Sequence, residues 1–350
     1  MRNVLLPVGI LNKIALIVRS ALSTSSKYTI SEIASKILSL NYSQMIFSDS
    51  YISLYRNFIH NGNFLLLYRF DDNSQVVNYP SYGAYFCSSL TSISYSNCSS
   101  IGTHAFEYCT ALEDAQFSRC QTIDSYAFAS CSSLYTYSFP ECTLIKEKAF
   151  KDCINLSEVV FPKCKEIASD AFIGCKFLEQ VYMPRMNKVP YKAFQQYHYL
   201  TEAILTECTL IDDYAFDYCD VLQDIQIPNC SFIGKYVFRS CALPFISLPI
   251  CHTIGEGAFY NCESLNKIIL DSHLLIGNLA FAGCIALSEI RLMSNTPTQL
   301  LGQDVFKGTM FDKNNISTSI GKLYVPYELY SYYREKWASF INIGTLAIIA

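Results

Sequence analysis

The side chains with the most chemical capability in this chain are its sixteen cysteines. Thiolates ligate metals, attack electrophiles and cross-link, and their spacing decides among these. All sixteen fall on an 11-residue grid, at 87, 98, 109, 120, 131, 142, 153, 164 and 175, then at 208, 219, 230, 241, 251, 262 and 284, with one residue lost before Cys251. Two sets interleave. One follows Ala-Phe, as in Ala105-Phe106-x-x-Cys109, and the other follows a short apolar run, as in Phe161-Pro162-x-Cys164. The vacant grid positions hold Met186, Tyr197, His273, Asn295 and Thr309, a mixture that neither a metal set nor a redox set would tolerate. Stacked copies about 4.8 Å apart satisfy the distance requirement of a disulfide, but their Cα–Cβ vectors run parallel and do not face each other. All sixteen therefore read as reduced, buried, small side chains.

The remaining chemistry is sparse. There is no Cys-x-x-Cys, His-Glu-x-x-His, Gly-x-Ser-x-Gly or phosphate-binding glycine loop. Histidines stand at 60, 104, 198, 252 and 273. Cys251 and His252 are chain neighbours, and neighbours on a strand point apart. His273 occupies a cysteine position and reads as structural. Glu113-Asp114 and Asp212-Asp213 read as solvated faces. The expectation is a protein without catalytic residues, cofactor or metal.

The elements that carry these residues follow from a second ruler. Phenylalanines stand at 106, 128, 150, 172, 194, 216, 238, 259, 281 and 306, with Ala84 in the same phase one unit earlier. The unit is thus 22 residues, with one residue lost before Phe259 and three gained before Phe306. Between anchors runs L-x-x-I-x-L-x-x-C-x-x-I, as in Leu156, Val159, Phe161, Cys164 and Ile167. Such a fixed period is the signature of a solenoid, and the alternation is that of a strand with one face inward. The pattern resembles a leucine-rich repeat, and the unit FP-x-C-x-x-I-x-x-x-AF-x-x-C-x-x-L looks like the BspA-like repeats of bacterial surface proteins and of some protozoa. The tail from Leu323 to Trp337 is similar to the element that ends many such proteins in gut Firmicutes. The segment from Leu11 to Leu40 resembles a helical leader of prophage-encoded proteins of those bacteria, often in tail modules.

That resemblance implies an α/β solenoid: a right-handed superhelix with one parallel sheet, short helical or 3-10 turns on the other face, a small N-terminal helical module and a C-terminal cap. The expected organisation is a helical hairpin over 1–45, an N-terminal cap over 46–76, repeats over 77–310 and a C-terminal cap over 311–350. Within 1–22, Leu11, Ile14, Val18 and Leu22 fall at helical spacing, and Lys13 and Arg19 interrupt what would otherwise pass for a signal peptide. Thr29-x-x-Glu32 is a capping box for a second helix. At the other end Tyr330, Tyr333 and Trp337 share a helical face and read as capping residues. No stretch reaches the roughly 20 apolar residues of a membrane span.

Net charge is −4, which offers no basic field for nucleic acid. Charged residues are only 16%, against 26 tyrosines and 23 phenylalanines, so the surface is left to neutral polar and aromatic groups suited to adaptable contact. The outward strand positions form two columns. Val160, Tyr182 and Ile204 make an apolar run in one, flanked in the other by Glu158, Glu202 and Asp224. Exposed apolar neighbours rimmed by charge mark contact sites. The function implied is non-enzymatic recognition or adhesion toward a protein or glycan on another cell or particle, on a cell surface or phage tail. The alternative is a structural part of a prophage or virion assembly without an external ligand. Self-association through the N-terminal helices belongs to either.

Overall fold

The structure is a computed structural model that describes residues 77–88, 90–270, 274–300, 302–314, 321–338, 341 and 346–348. The expected hairpin over 1–45, the cap over 46–76, His60 and His273 lie outside the described residues.

From residue 77 the chain forms a parallel β-solenoid of about eleven rungs. Each rung carries a strand of three or four residues and, after a turn, a strand of two. Val159, Val181 and Ala203 exemplify the longer strands. They are buried and pair in register, Val159 to Val181 and Val181 to Ala203. The Ile that follows each strand cysteine does not extend that strand. It lies in the second, two-residue strand, as Ile101, Ile123 and Ile145 do, each pairing with its copy one rung on. The expectation of one parallel sheet is therefore corrected to two columns of parallel strands.

The third face corrects the expected helical turns. Around Ala84, the N–H groups of Gly83, Tyr85 and Cys87 donate three residues back, to Pro80, Tyr82 and Ala84 at 3.1, 3.3 and 3.0 Å. Those of Tyr82, Ala84 and Phe86 donate forward to Thr103, Ala105 and Glu107 of the next rung at 3.0, 2.7 and 2.8 Å. A 3-10 helix needs every N–H for its own i→i−3 bonds. Here every second one is spent between rungs, so the segment becomes a stack of β-turns.

This geometry puts two residues per rung, four apart, in the left-handed region, such as His104 and Tyr108 at φ 58° and 63°, then Tyr126 and Ser130 at 59° and 60°. A non-glycine there costs about 1–2 kcal/mol. Ring stacking offsets it: Tyr82, His104 and Tyr126 stack at 4.7 and 4.8 Å between centroids. Gly257 joins this column because a Cβ there would lie 2.3 Å from the Tyr236 ring.

Inside, Phe106, Phe128, Phe150, Phe172 and their successors stack as one aromatic ladder, with most centroids 5.1–5.7 Å apart. A second ladder, Phe117, Phe139 and Phe161, meets the first edge-on. Beyond Phe161, buried Met183, Leu205 and Ile227 take its place. At the C-terminal end the strand Lys322–Val325 continues the longer column, and Tyr330–Lys336 is an α-helix preceded by a 3-10 turn at Tyr327–Leu329. Tyr333 and Trp337 are buried, and the Tyr333 hydroxyl accepts the Thr298 N–H at 2.9 Å.

Candidate partner-binding face

The longer strand column has two breaks, and the predicted site residues sit between them. Strands Glu158–Val160, Gln180–Tyr182, Glu202–Ile204 and Asp224–Gln226 form one continuous four-stranded sheet. Register places Glu158, Gln180, Glu202 and Asp224 in one row and Val160, Tyr182, Ile204 and Gln226 in the other. All six predicted residues are thus brought onto one face. Val160 and Tyr182 are 39% and 40% exposed, and Ile204 is half-buried. Just upstream of these strands lies an exposed ring pair, Phe177 and Tyr199, with centroids 5.3 Å apart. That pair lies in the turn column, outside the two strand columns whose alternation the sequence makes legible.

Each break has a residue behind it. Tyr137 stands where neighbouring rungs bury Ala or Val, and its hydroxyl donates to the Glu158 carbonyl at 2.8 Å and accepts the Val160 N–H at 2.6 Å. The phenol takes the backbone groups that Thr136–Ser138 would otherwise engage, so the ladder stops. At the other side Pro244 occupies the phase of Gln223, whose N–H bonds the Thr201 carbonyl at 3.0 Å. Proline has no such donor.

The match to known families rests on the repeat. The family described as BspA type leucine rich repeat region (6 copies) matches residues 19–135, 78–201, 121–244 and 209–325, most of the chain. The chain belongs to the BspA-type leucine-rich repeat family. No curated protein sequence matches it. Among solved structures it is similar to a leucine-rich repeat protein from Bacteroides ovatus, at 20% identity over 73% of this chain and 88% of that one, TM-score 0.37. It is also similar to a leucine rich cell surface protein from Faecalibacterium prausnitzii, at 21% identity over 63% and 77%, TM-score 0.32. The pneumococcal vaccine antigen PcpA matches at 15% over 74% and 79%, TM-score 0.38.

Within this BspA-type solenoid the cysteines have a defined task. In the Ala-Phe set the thiols from Cys109 onward reach back one rung to a backbone carbonyl, as Cys131 does to Phe106, Cys153 to Phe128 and Cys175 to Phe150, all at 3.1 Å. Tyr197 substitutes in this ladder, its hydroxyl donating to Phe172 at 2.7 Å. In the strand set each thiol closes the turn two residues ahead, as Cys120 does to Thr122 at 3.3 Å and Cys208 to Leu210 at 3.2 Å. All sixteen are free thiols. Burial pushes Cys87 up to about 11 and Cys120, Cys164 and Cys251 up to about 12, far from a reactive thiolate. Cys251 is buried while His252 is exposed, so the pair does not converge. Among the described residues no three His, Cys, Asp or Glu side chains are placed to hold a metal.

Two polar clusters on the turn face escaped the sequence reading. His104 pairs with the buried Glu107 three residues on. Asp217 is fully buried, and Arg239 one rung on grips it with Nε and Nη2 at 2.7 and 2.8 Å, while Gln195 one rung before donates at 2.9 Å. Tyr218, Tyr236 and Tyr214 surround the guanidinium at 4.6, 5.0 and 5.9 Å. The signal was available, since 195, 217 and 239 are spaced by 22. Asp212 and Asp213, expected to be solvated, tie rungs together: Lys188 Nζ lies 2.7 Å from Asp212, and Asp213 accepts the Lys235 N–H at 2.7 Å.

Proposed function

We propose that this chain is a non-enzymatic recognition module, displayed on the exterior of a cell or particle, that binds a polypeptide through the face formed by residues 158–226. The observation that carries this is the apolar row Val160, Tyr182 and Ile204, stacked in register on one sheet, with Val160 and Tyr182 exposed and Ile204 half-buried. Consecutive apolar side chains on neighbouring strands form a contiguous surface, which isolated exposed residues do not. A polypeptide suits the row better than a glycan. Aliphatic side chains on both sides of Tyr182 favour apolar anchors, whereas a sugar is better served by an open ring face, and turn-face rings such as Phe86 and Tyr108 cover one another's faces at 4.4 Å. The test is to screen the full chain against a displayed peptide library and a glycan array, then repeat with Tyr182→Ser/Ile204→Ser at unchanged far-ultraviolet circular dichroism. Peptide ligands should weaken by about tenfold or more, as for a central anchor pair. Ligands that are solely glycans, or peptides indifferent to the double variant, would overturn the assignment.

A further inference from the structure

We infer that the partner presents a cationic segment, a stretch of chain in which lysine or arginine accompanies aliphatic or aromatic side chains. The inference rests on the reading above that this face binds a polypeptide, and adds the chemistry of what it binds. Glu158, Glu202 and Asp224 stand in the row beside the apolar one, two residues along the same strands from Val160, Ile204 and Gln226. Exposed Glu179 precedes Gln180 at the sheet's entrance. Across Ser157–Val160, Glu179–Tyr182, Thr201–Ile204 and Gln223–Gln226 there is no lysine or arginine. Among the described residues no cation pairs with any of these carboxylates.

Among the described residues Glu113, Asp114, Glu166 and Glu263 also have no ion pair, and Gln226 donates to Asp224 at 3.4 Å, but only here do such carboxylates gather on adjoining strands beside an apolar row. On other parts of the same solenoid, carboxylates are matched across or within rungs: Glu141 with Lys163 at 2.7 Å, Asp124 with Lys146 at 2.6 Å, Asp212 with Lys188 at 2.7 Å. Further along the Glu158 row itself, Glu289 is held by Lys267 at 3.0 Å and Arg291 at 2.6 Å. Between the breaks at Tyr137 and Pro244, however, Glu202 and Asp224 face each other in register, one strand spacing of about 4.8 Å apart. Like charges directly opposite on a sheet are destabilising. A cationic segment laid on this face meets the missing countercharges while its apolar side chains cover Val160, Tyr182 and Ile204. A polyanion, whether nucleic acid, an acidic glycan or an acidic lipid surface, meets only repulsion.

The test pans a displayed random 12-residue peptide library on the full chain and measures the recovered peptides by fluorescence anisotropy. Recovered sequences should be rich in Lys or Arg next to Leu, Tyr or Trp. Their affinity should fall about tenfold with E158Q/E179Q/E202Q/D224N, and by a similar factor for the unaltered chain between roughly 50 and 500 mM salt. Peptides of neutral or negative charge that still need Tyr182 and Ile204 would overturn the charge assignment and leave the face standing. Peptides that ignore Tyr182→Ser/Ile204→Ser would overturn the face itself, and cationic peptides among them would mark unspecific attraction of a polycation. The salt series needs no variant, so misfolding of the quadruple substitution cannot rescue the inference.

Discussion

Arg239 illustrates how single residues hold rungs to one another. Its guanidinium is the countercharge of a carboxylate with no exposure at all, and three tyrosines fix its plane. Removing one partner of a buried pair leaves an uncompensated charge, at about 3–5 kcal/mol. Arg239→Ala should therefore destabilise the chain by about that amount in chemical denaturation, and Arg239→Lys should recover only part of it, because an ammonium cannot make the two-point contact. An Arg239→Ala variant of unchanged stability would show that Asp217 has another cation. At this scale the sequence revealed roles that repeat and hid those that occur once. The cysteine ladders were legible because Cys131, Cys153 and Cys175 do the same thing at the same spacing. The Tyr137 hydroxyl acts once, on the backbone of the following rung, and no periodicity announces that.

Between rungs, the elements obey a backbone accounting rule that the sequence pattern only partly exposes. The alternation Val159, Phe161 and Leu156 was enough to place the longer strands and their outward columns. It could not show whether the Ala-Phe segment is a helix or a stack of turns, because Phe106 is buried in either case and the difference lies in where Ala84, Tyr82 and Phe86 send their N–H groups. Pro244 went unremarked in the sequence although its residue type alone marks a strand breaker. Tyr137 carries no such mark, and its contribution is measurable. Tyr137→Phe leaves the Val160 N–H without its acceptor, so stability should drop by about 1–2 kcal/mol and the Val160 amide should lose protection from hydrogen exchange. Unchanged protection would mean that the strands at 136–138 and 158–160 pair directly and that the sheet has no break there.

The described solenoid is a one-dimensional stack, in which each rung contacts its neighbours and the same chemistry recurs down the axis. Repetition makes small effects additive, and the thiols give the clearest case. Burial raises Cys87, Cys120, Cys164 and Cys251 to about 11 or 12, and raises Cys109, Cys131 and Cys153 as well. In the unfolded chain they titrate near 8.5. Below that value both states hold the proton and stability is unaffected. Above it the unfolded chain releases protons that the folded chain retains, so stability falls with rising pH until the folded values are reached. Each such thiol contributes about 1.4 kcal/mol per pH unit to the slope. Denaturation midpoints should thus hold between pH 7 and 8 and drop steeply from pH 8.5 to 10. A flat profile over that window would contradict burial of the neutral thiols.

The central claim is that the chain's most chemically capable residues are scaffold and that its outward strand rows are left free for recognition. Quantitative maleimide labelling without reductant, mapped by mass spectrometry, addresses it directly. Under native conditions at pH 7 the half-buried Cys87 should be the main site of slow modification, with the other fifteen protected, and all sixteen should react once the chain is unfolded. Rapid native labelling at Cys131, Cys153 or Cys208, or fewer than sixteen reactive thiols in denaturant, would contradict the account.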